Sequence, residues 1–175
     1  STTGRWPLDA VGAKNIGAVF RENGWMTSGC VSNIHLNPRF DFDDGFDDWR
    51  LDVQANAEQQ VDRAVKYFTD NQNRDSYMFL HIMDPHLFYK APKEYNDRFV
   101  TDADPELPAL FNRWEVVSWN NKGGLSEKRK KHIEDLYDAE IAFTDFHLGR
   151  LFEEVNKLPG QTLIIVHSDH GEEFW

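Results

Sequence analysis

SYMFLHIMDPH, residues 76–86, decides how the rest of the chain is read. From Ser76 to Met83 the run is almost continuously apolar, which suits a strand covered on both faces. It breaks off at Asp84, Pro85 and His86. Proline restricts the residue before it to extended backbone, so the chain is directed out of the strand with Asp84 and His86 at its end. An imidazole held there can protonate a leaving group or bind an anion; the alternative is a loop histidine packed on Phe88 or Tyr89.

The same pattern recurs on either side. KNIGAVFRENG, from Lys14 to Gly24, spaces Ile16, Val19 and Phe20 as a helix does and stops at a glycine. WMTSGCVSN then reads as a buried strand ending near Asn33, with His35 just beyond it. A second helix is predicted from Ala57 to Thr69 through Val61, Val65 and Phe68, ahead of the strand at Ser76. Leu87 to Gly124, rich in Pro, Asn, Asp and aromatics without a sustained period, reads as an irregular excursion. Ser126 can cap a long helix whose stripe runs from Ile133 through Leu136, Ile141 and Leu148 to Val155 and ends before Pro159 and Gly160. QTLIIVHS, residues 161–168, is predicted as the last strand, and it delivers Asp169 and His170.

Helix and strand alternate, so the expected fold class is α/β with a largely parallel sheet sandwiched by helices. In such sheets functional groups gather beyond the carboxyl ends of the strands. The predicted strand ends carry His35, then Asp84 and His86, then Asp169 and His170. Asp169 and His170 can offer one oxygen and one nitrogen to a divalent cation, with Gly171 permitting the turn that points both inward. The alternative is an Asp169 helix cap beside an ordinarily hydrogen-bonded His170.

Composition narrows the partners. A chain of 175 residues suits one domain, and 40% hydrophobic residues are enough for a packed core. Net charge is −11, and Lys and Arg are scattered except for Lys128 to Lys131, so no broad basic surface awaits a nucleic acid. No apolar run in this segment approaches the ~20 residues that span a bilayer. The opening STTGRWPLDA lacks the features of a signal peptide, and localisation stays open. Cys30 is the one cysteine, which excludes an internal disulfide and a multi-cysteine zinc site; it reads as a buried structural residue. NPRFDFDDGFDDWRLD, residues 37–52, does not follow the order of an EF-hand loop and is read as a surface loop pinned by Phe40, Phe42, Phe46 and Trp49. His81 and His167, inside predicted strands, are read as structural, and His132 and His147 earn no role.

TLIIVHSDHGEEF (162–174), FLHIMDPHLFYKAPKEYNDRF (79–99) and YDAEIAFTDFHLGRLFEEV (137–155) closely resemble segments of sulfatases, within the alkaline phosphatase superfamily. IGAVFRENGWMTSGCVSNIHL (16–36) and FDFDDGFDDW (40–49) extend the resemblance in the same order over nearly the whole chain. It implies an alkaline-phosphatase-like fold and hydrolysis of sulfate monoesters of small molecules or carbohydrates. The cofactors implied are a divalent cation, calcium first with magnesium and manganese as alternatives, and a formylglycine nucleophile.

By the same resemblance Asp169 and His170 are cation ligands, while His86 contacts the sulfate and protonates the leaving alcohol. His35 sits beside the nucleophile and assists release of sulfate. Asn33 stands where many sulfatases carry a lysine, and it keeps only a hydrogen bond to offer the sulfate. STTGRWP resembles the Thr-Gly-x-x-Pro segment that follows the nucleophile motif, so residues 1–175 are expected to be an internal part of a single sulfatase-like catalytic domain. The cysteine that matures to formylglycine, the paired aspartates of the first strand and a later lysine are not in this sequence, and Cys30 lacks the Pro and Arg context to replace the first. Two rivals remain: a phosphoester or phosphonate hydrolase of the same superfamily, and a non-catalytic domain with a degenerate site.

Overall fold

The computed structural model describes residues 14–174. They form two compact units, 14–83 with 148–162 and 84–147 with 163–174.

The first unit is built on a parallel sheet of β1 (Met26–Val31), β2 (Asp48–Leu51) and β3 (Ser76–His81), in the order β2-β1-β3. The central strand is the one made of small residues. Gly29 lies opposite Trp49 on one side and Phe79 on the other, and a Cβ at Gly29 would collide with the Trp49 indole. The space a side chain would occupy is filled by that ring, which also stacks near Phe79 with centroids 6.2 Å apart.

Helices cover both faces. Phe20 of α1 (Ile16–Glu22) stacks on Tyr77 at 4.5 Å. Met78 and Leu80 point the other way, because successive strand residues alternate. They pack with Val61 and Ala64 of α2 (Ala57–Asp70) and with Leu151 and Val155. α2 starts where the sequence allows it, at Asn56, whose side chain and Gln59 cap each other reciprocally. Leu151 and Val155 belong to the last turns of α5 (Glu127–Val155), begun at Ser126, whose Oγ accepts from the Arg129 N–H at 3.1 Å.

The second unit contains α3 (Lys93–Phe99), α4 (Arg113–Asn121) and α5 as far as His147. Its core gathers Tyr89, Phe111, Val116, Leu125 and Ile133. Arg129 binds Asp104 at 2.6 Å and holds its carboxyl below the usual range. The Asp104 N–H donates to His132 Nδ1 at 3.1 Å, so His132 ties a loop to α5. The basic run is paired throughout: Lys128 with Asp102, Arg129 with Asp104 and Glu106, Lys130 with Glu127, and Lys131 with Asp135. Charges answered in this way do not form a phosphate-binding patch.

The α/β class with a parallel sheet between helices is as expected, and three expectations need correction. The stretch 37–52 is not all loop, because Asp48–Leu51 pairs with β1 as an edge strand. Alternating exposure along it hides the strand among aspartates. The excursion from Leu87 to Gly124 contains two helices, α3 and α4, too short to show a period.

The predicted last strand does not form. Residues 161–168 are irregular, with Leu163 85% and Ile165 76% exposed, and His167 therefore lies outside any strand. Apolar composition suits burial, but a strand exists only where a neighbouring backbone supplies hydrogen bonds, and none of the described residues does so here. Gly29→Ala is expected to cost about 1–3 kcal/mol by driving the indole of Trp49 off the sheet. Denaturant unfolding followed by tryptophan fluorescence measures it.

Candidate functional site

Beyond its last ladder pair the sheet is stitched by side chains. Ser32 Oγ donates to the His81 carbonyl at 3.1 Å and accepts from the Met83 N–H at 3.0 Å, while buried Gln60 donates to the same carbonyl at 3.4 Å. The exits of β1 and β3 are thereby held side by side, with Asn33 following one and Asp84 the other.

Asn33 and His35 form one turn. Asn33 Oδ1 caps the short 3-10 helix Ile34–Leu36 by accepting from the His35 N–H at 2.9 Å. Its oxygen is thus engaged and its Nδ2 hydrogens remain for an acceptor. Trp49 Nε1 donates to the Leu36 carbonyl at 3.1 Å, so the indole that covers Gly29 also anchors the turn that bears His35. The His35 ring is exposed.

His86, Asp169 and His170 belong to the second unit. His86 is exposed, and its Nδ1 lies 2.5 Å from the Leu87 carbonyl, which leaves Nε2 facing out. His170 repeats this arrangement, with Nδ1 2.6 Å from the Gly171 carbonyl and Nε2 3.8 Å from Asp169 Oδ2. The Gly171 carbonyl first, and the Asp169 charge next, raise the imidazole's proton affinity. An imidazole whose Nδ1–H is tied to a carbonyl presents Nε2 as a ligand of fixed tautomer. Donor atoms 3.8 Å apart can share one cation, since each bond to it is about 2.0–2.6 Å long. Among the described residues no cluster of three or more His, Cys, Asp or Glu forms a complete cation site.

Sequence reasoning missed Tyr89. This buried phenol hydrogen-bonds Glu172, and burial with the nearby glutamate charge pushes its pKa far up, so it stays a donor. Tyr89 follows His86 by three residues and Glu172 follows His170 by two, so this bond draws the His86 and Asp169–His170 segments into one neighbourhood. Two further ties hold the tail: Arg113 with Glu173 at 3.0 Å and Phe174 edge-on to Tyr137 at 5.3 Å. The only signal in the sequence was a tyrosine in a polar loop.

Other sequence readings resolve within the units. The aspartates of 37–52 serve as ties: Asp47 accepts from the Thr27 N–H at 2.9 Å and meets Arg21 at 3.0 Å, and Ser28 Oγ donates to Asp48 at 3.4 Å. Phe46 and Trp49 pin this stretch with rings 4.8 Å apart, whereas Phe42 is 39% exposed. Cys30 is buried in β1, where desolvation and then Asp48 raise its thiol pKa. It is an inert core residue.

A parallel α/β sheet with polar groups at its strand exits is the arrangement of the alkaline-phosphatase-like hydrolases. The sulfatase family model matches residues 12–174, and the chain belongs to the sulfatase family. Comparison with curated proteins finds no match. Family membership makes the chain part of a hydrolase family that acts on sulfated substrates. Among the described residues no helix is long and apolar enough to cross a membrane.

Tyr89→Phe is expected to lower stability by about 1–2 kcal/mol, as a buried hydrogen bond to a charged group is lost. The loss is expected to fall on the tail, read as faster amide exchange at Glu172 and Glu173 with β1 unchanged.

Proposed function

We propose that this chain is part of the catalytic domain of a sulfatase that hydrolyses sulfate monoesters of small molecules or carbohydrates. The observation that carries the reading is the Asp169–His170 pair, with donors 3.8 Å apart on a tail tied through Tyr89 to the segment of His86.

Each residue then has a role that its geometry suits. His86, with Nδ1 tied and Nε2 outward, contacts the sulfate and, when protonated, gives its Nε2 proton to the alcohol oxygen as the S–O bond breaks. Asn33 donates from Nδ2 to a sulfate oxygen, and the turn it caps presents His35, which assists release of sulfate. Asp169 and His170 hold a divalent cation, calcium first and magnesium or manganese as alternatives. When bound, the cation stabilises negative charge on the sulfate oxygens. The donor chemistry fits, with one carboxylate and one imidazole present, although two donors alone bind weakly. The nucleophile, a formylglycine, is supplied by residues other than these 175, since Cys30 is sealed in the core.

A calcium titration of the 175-residue chain, followed by NMR, tests the reading. Binding with Kd on the order of 10⁻³ M is expected at Asp169 and His170, and Asp169→Asn is expected to abolish it. The same chain is expected to show no arylsulfatase turnover. Robust turnover, or calcium bound elsewhere, would overturn these assignments; turnover of a phosphate ester alone would favour the phosphoester hydrolase.

A further inference from the structure

Glu140 lies well inside α5, is 1% exposed, and has no part in the roles above. Its Oε1 accepts from the Lys90 N–H, and the Ala91 N–H also bonds the carboxylate. Its Oε2 is buried and takes no N–H or hydroxyl donor from the described residues. The Asp84 carboxyl faces that of Glu140 instead, and its charge raises the proton affinity of Glu140. Two ionised carboxylates are acceptors only, so a bond between them requires a proton.

The placement of these partners is informative. Asp84 precedes His86 and Lys90 follows it, so the far end of the His86 loop is bonded to one side chain of α5 and the near end faces the same carboxyl. Burial first, and the Asp84 charge against the pull of the two backbone N–H groups, raise Glu140 from 4.5 to about 7. Among the described residues the Tyr89 phenol also faces it and stays protonated, and the Lys90 ammonium sits over the Phe88 ring at 5.7 Å.

We propose that Asp84 and Glu140 share one proton and that Glu140 is a positioning residue, clamping the 84–91 loop so that His86 is presented in a fixed place. The Lys90 arm of the clamp is a direct hydrogen bond to a side chain that is 1% exposed, and the Asp84 arm rests on the electrostatic pairing of the two carboxyls; the use of the clamp in presenting His86 to sulfate rests on the function proposed above.

The sign of the pH dependence follows from linkage. A carboxyl whose folded pKa is raised is most stabilising below its unfolded value, and its contribution falls as pH rises to the folded value. The window is therefore 4.5 to about 7, with little change above it.

The test is hydrogen exchange at the Lys90 and Ala91 amides in the 175-residue chain, corrected for intrinsic rate. Wild-type protection is expected to fall by roughly tenfold or more between about pH 5 and about pH 7.5. In Glu140→Gln the amide oxygen still accepts from Lys90 and the NH2 donates to Asp84, so protection is expected to persist across the range. In Glu140→Ala it is expected to be lost at every pH. Wild-type protection that does not vary with pH, or Glu140→Gln behaving like Glu140→Ala, would overturn the proposal. Sulfate added to the same samples separates the two ideas: a His86 ring signal indifferent to sulfate, with the exchange pattern intact, removes the sulfate contact and leaves the clamp.

Discussion

A buried backbone must find hydrogen bonds, and this constraint governs the molecule more than any single side chain does. β1 meets it fully, with β2 on one edge and β3 on the other. Because Gly29 leaves room for Trp49, the same strand accepts a large aromatic cover, and the indole N–H spent on Leu36 sets the His35 turn. Past the ladder, Ser32 and Gln60 continue to satisfy carbonyl and N–H groups that would otherwise be stranded. Residues 161–168 are the converse case. Their apolar side chains suit an interior, but the described residues offer them no ladder, and they remain open to solvent.

In the second unit carboxylates answer the same need. Glu172 receives the Tyr89 hydroxyl, Glu140 receives the Lys90 N–H, and Asp104 receives Arg129. These acids join loops to α5 or to the tail, so the segments bearing His86 and His170 are held by carboxylates and not by apolar packing alone. An acidic chain of net charge −11 can thus use its carboxylates internally, and the acidity says little about its partners.

Much of this was legible in the sequence, for identifiable reasons. β1, β3, α1, α2 and α5 are long or strongly patterned, and Ser126 and the glycine at the end of α1 mark boundaries where the structure has them. α3 and α4 escaped because helices of seven and nine residues barely complete two turns, and β2 escaped because an edge strand of aspartate, tryptophan and arginine shows no apolar run. The candidate ligands and histidines were visible as residues at the ends of apolar runs. What arranges them was not: the Tyr89–Glu172 bond and the Glu140 clamp join residues far apart in sequence, and only burial gives these acids their meaning.

The central claim is that His86 and the Asp169–His170 pair belong to one cation and anion site. Paramagnetic broadening by manganese, one of the cations the pair can take, measures this most directly. Signal loss at Asp169, His170 and His86 together, with the acidic stretch from Asp41 to Asp48 spared, is the predicted result. Broadening centred on Asp41 to Asp48, or confined to Asp169 and His170 while His86 stays sharp, would contradict it.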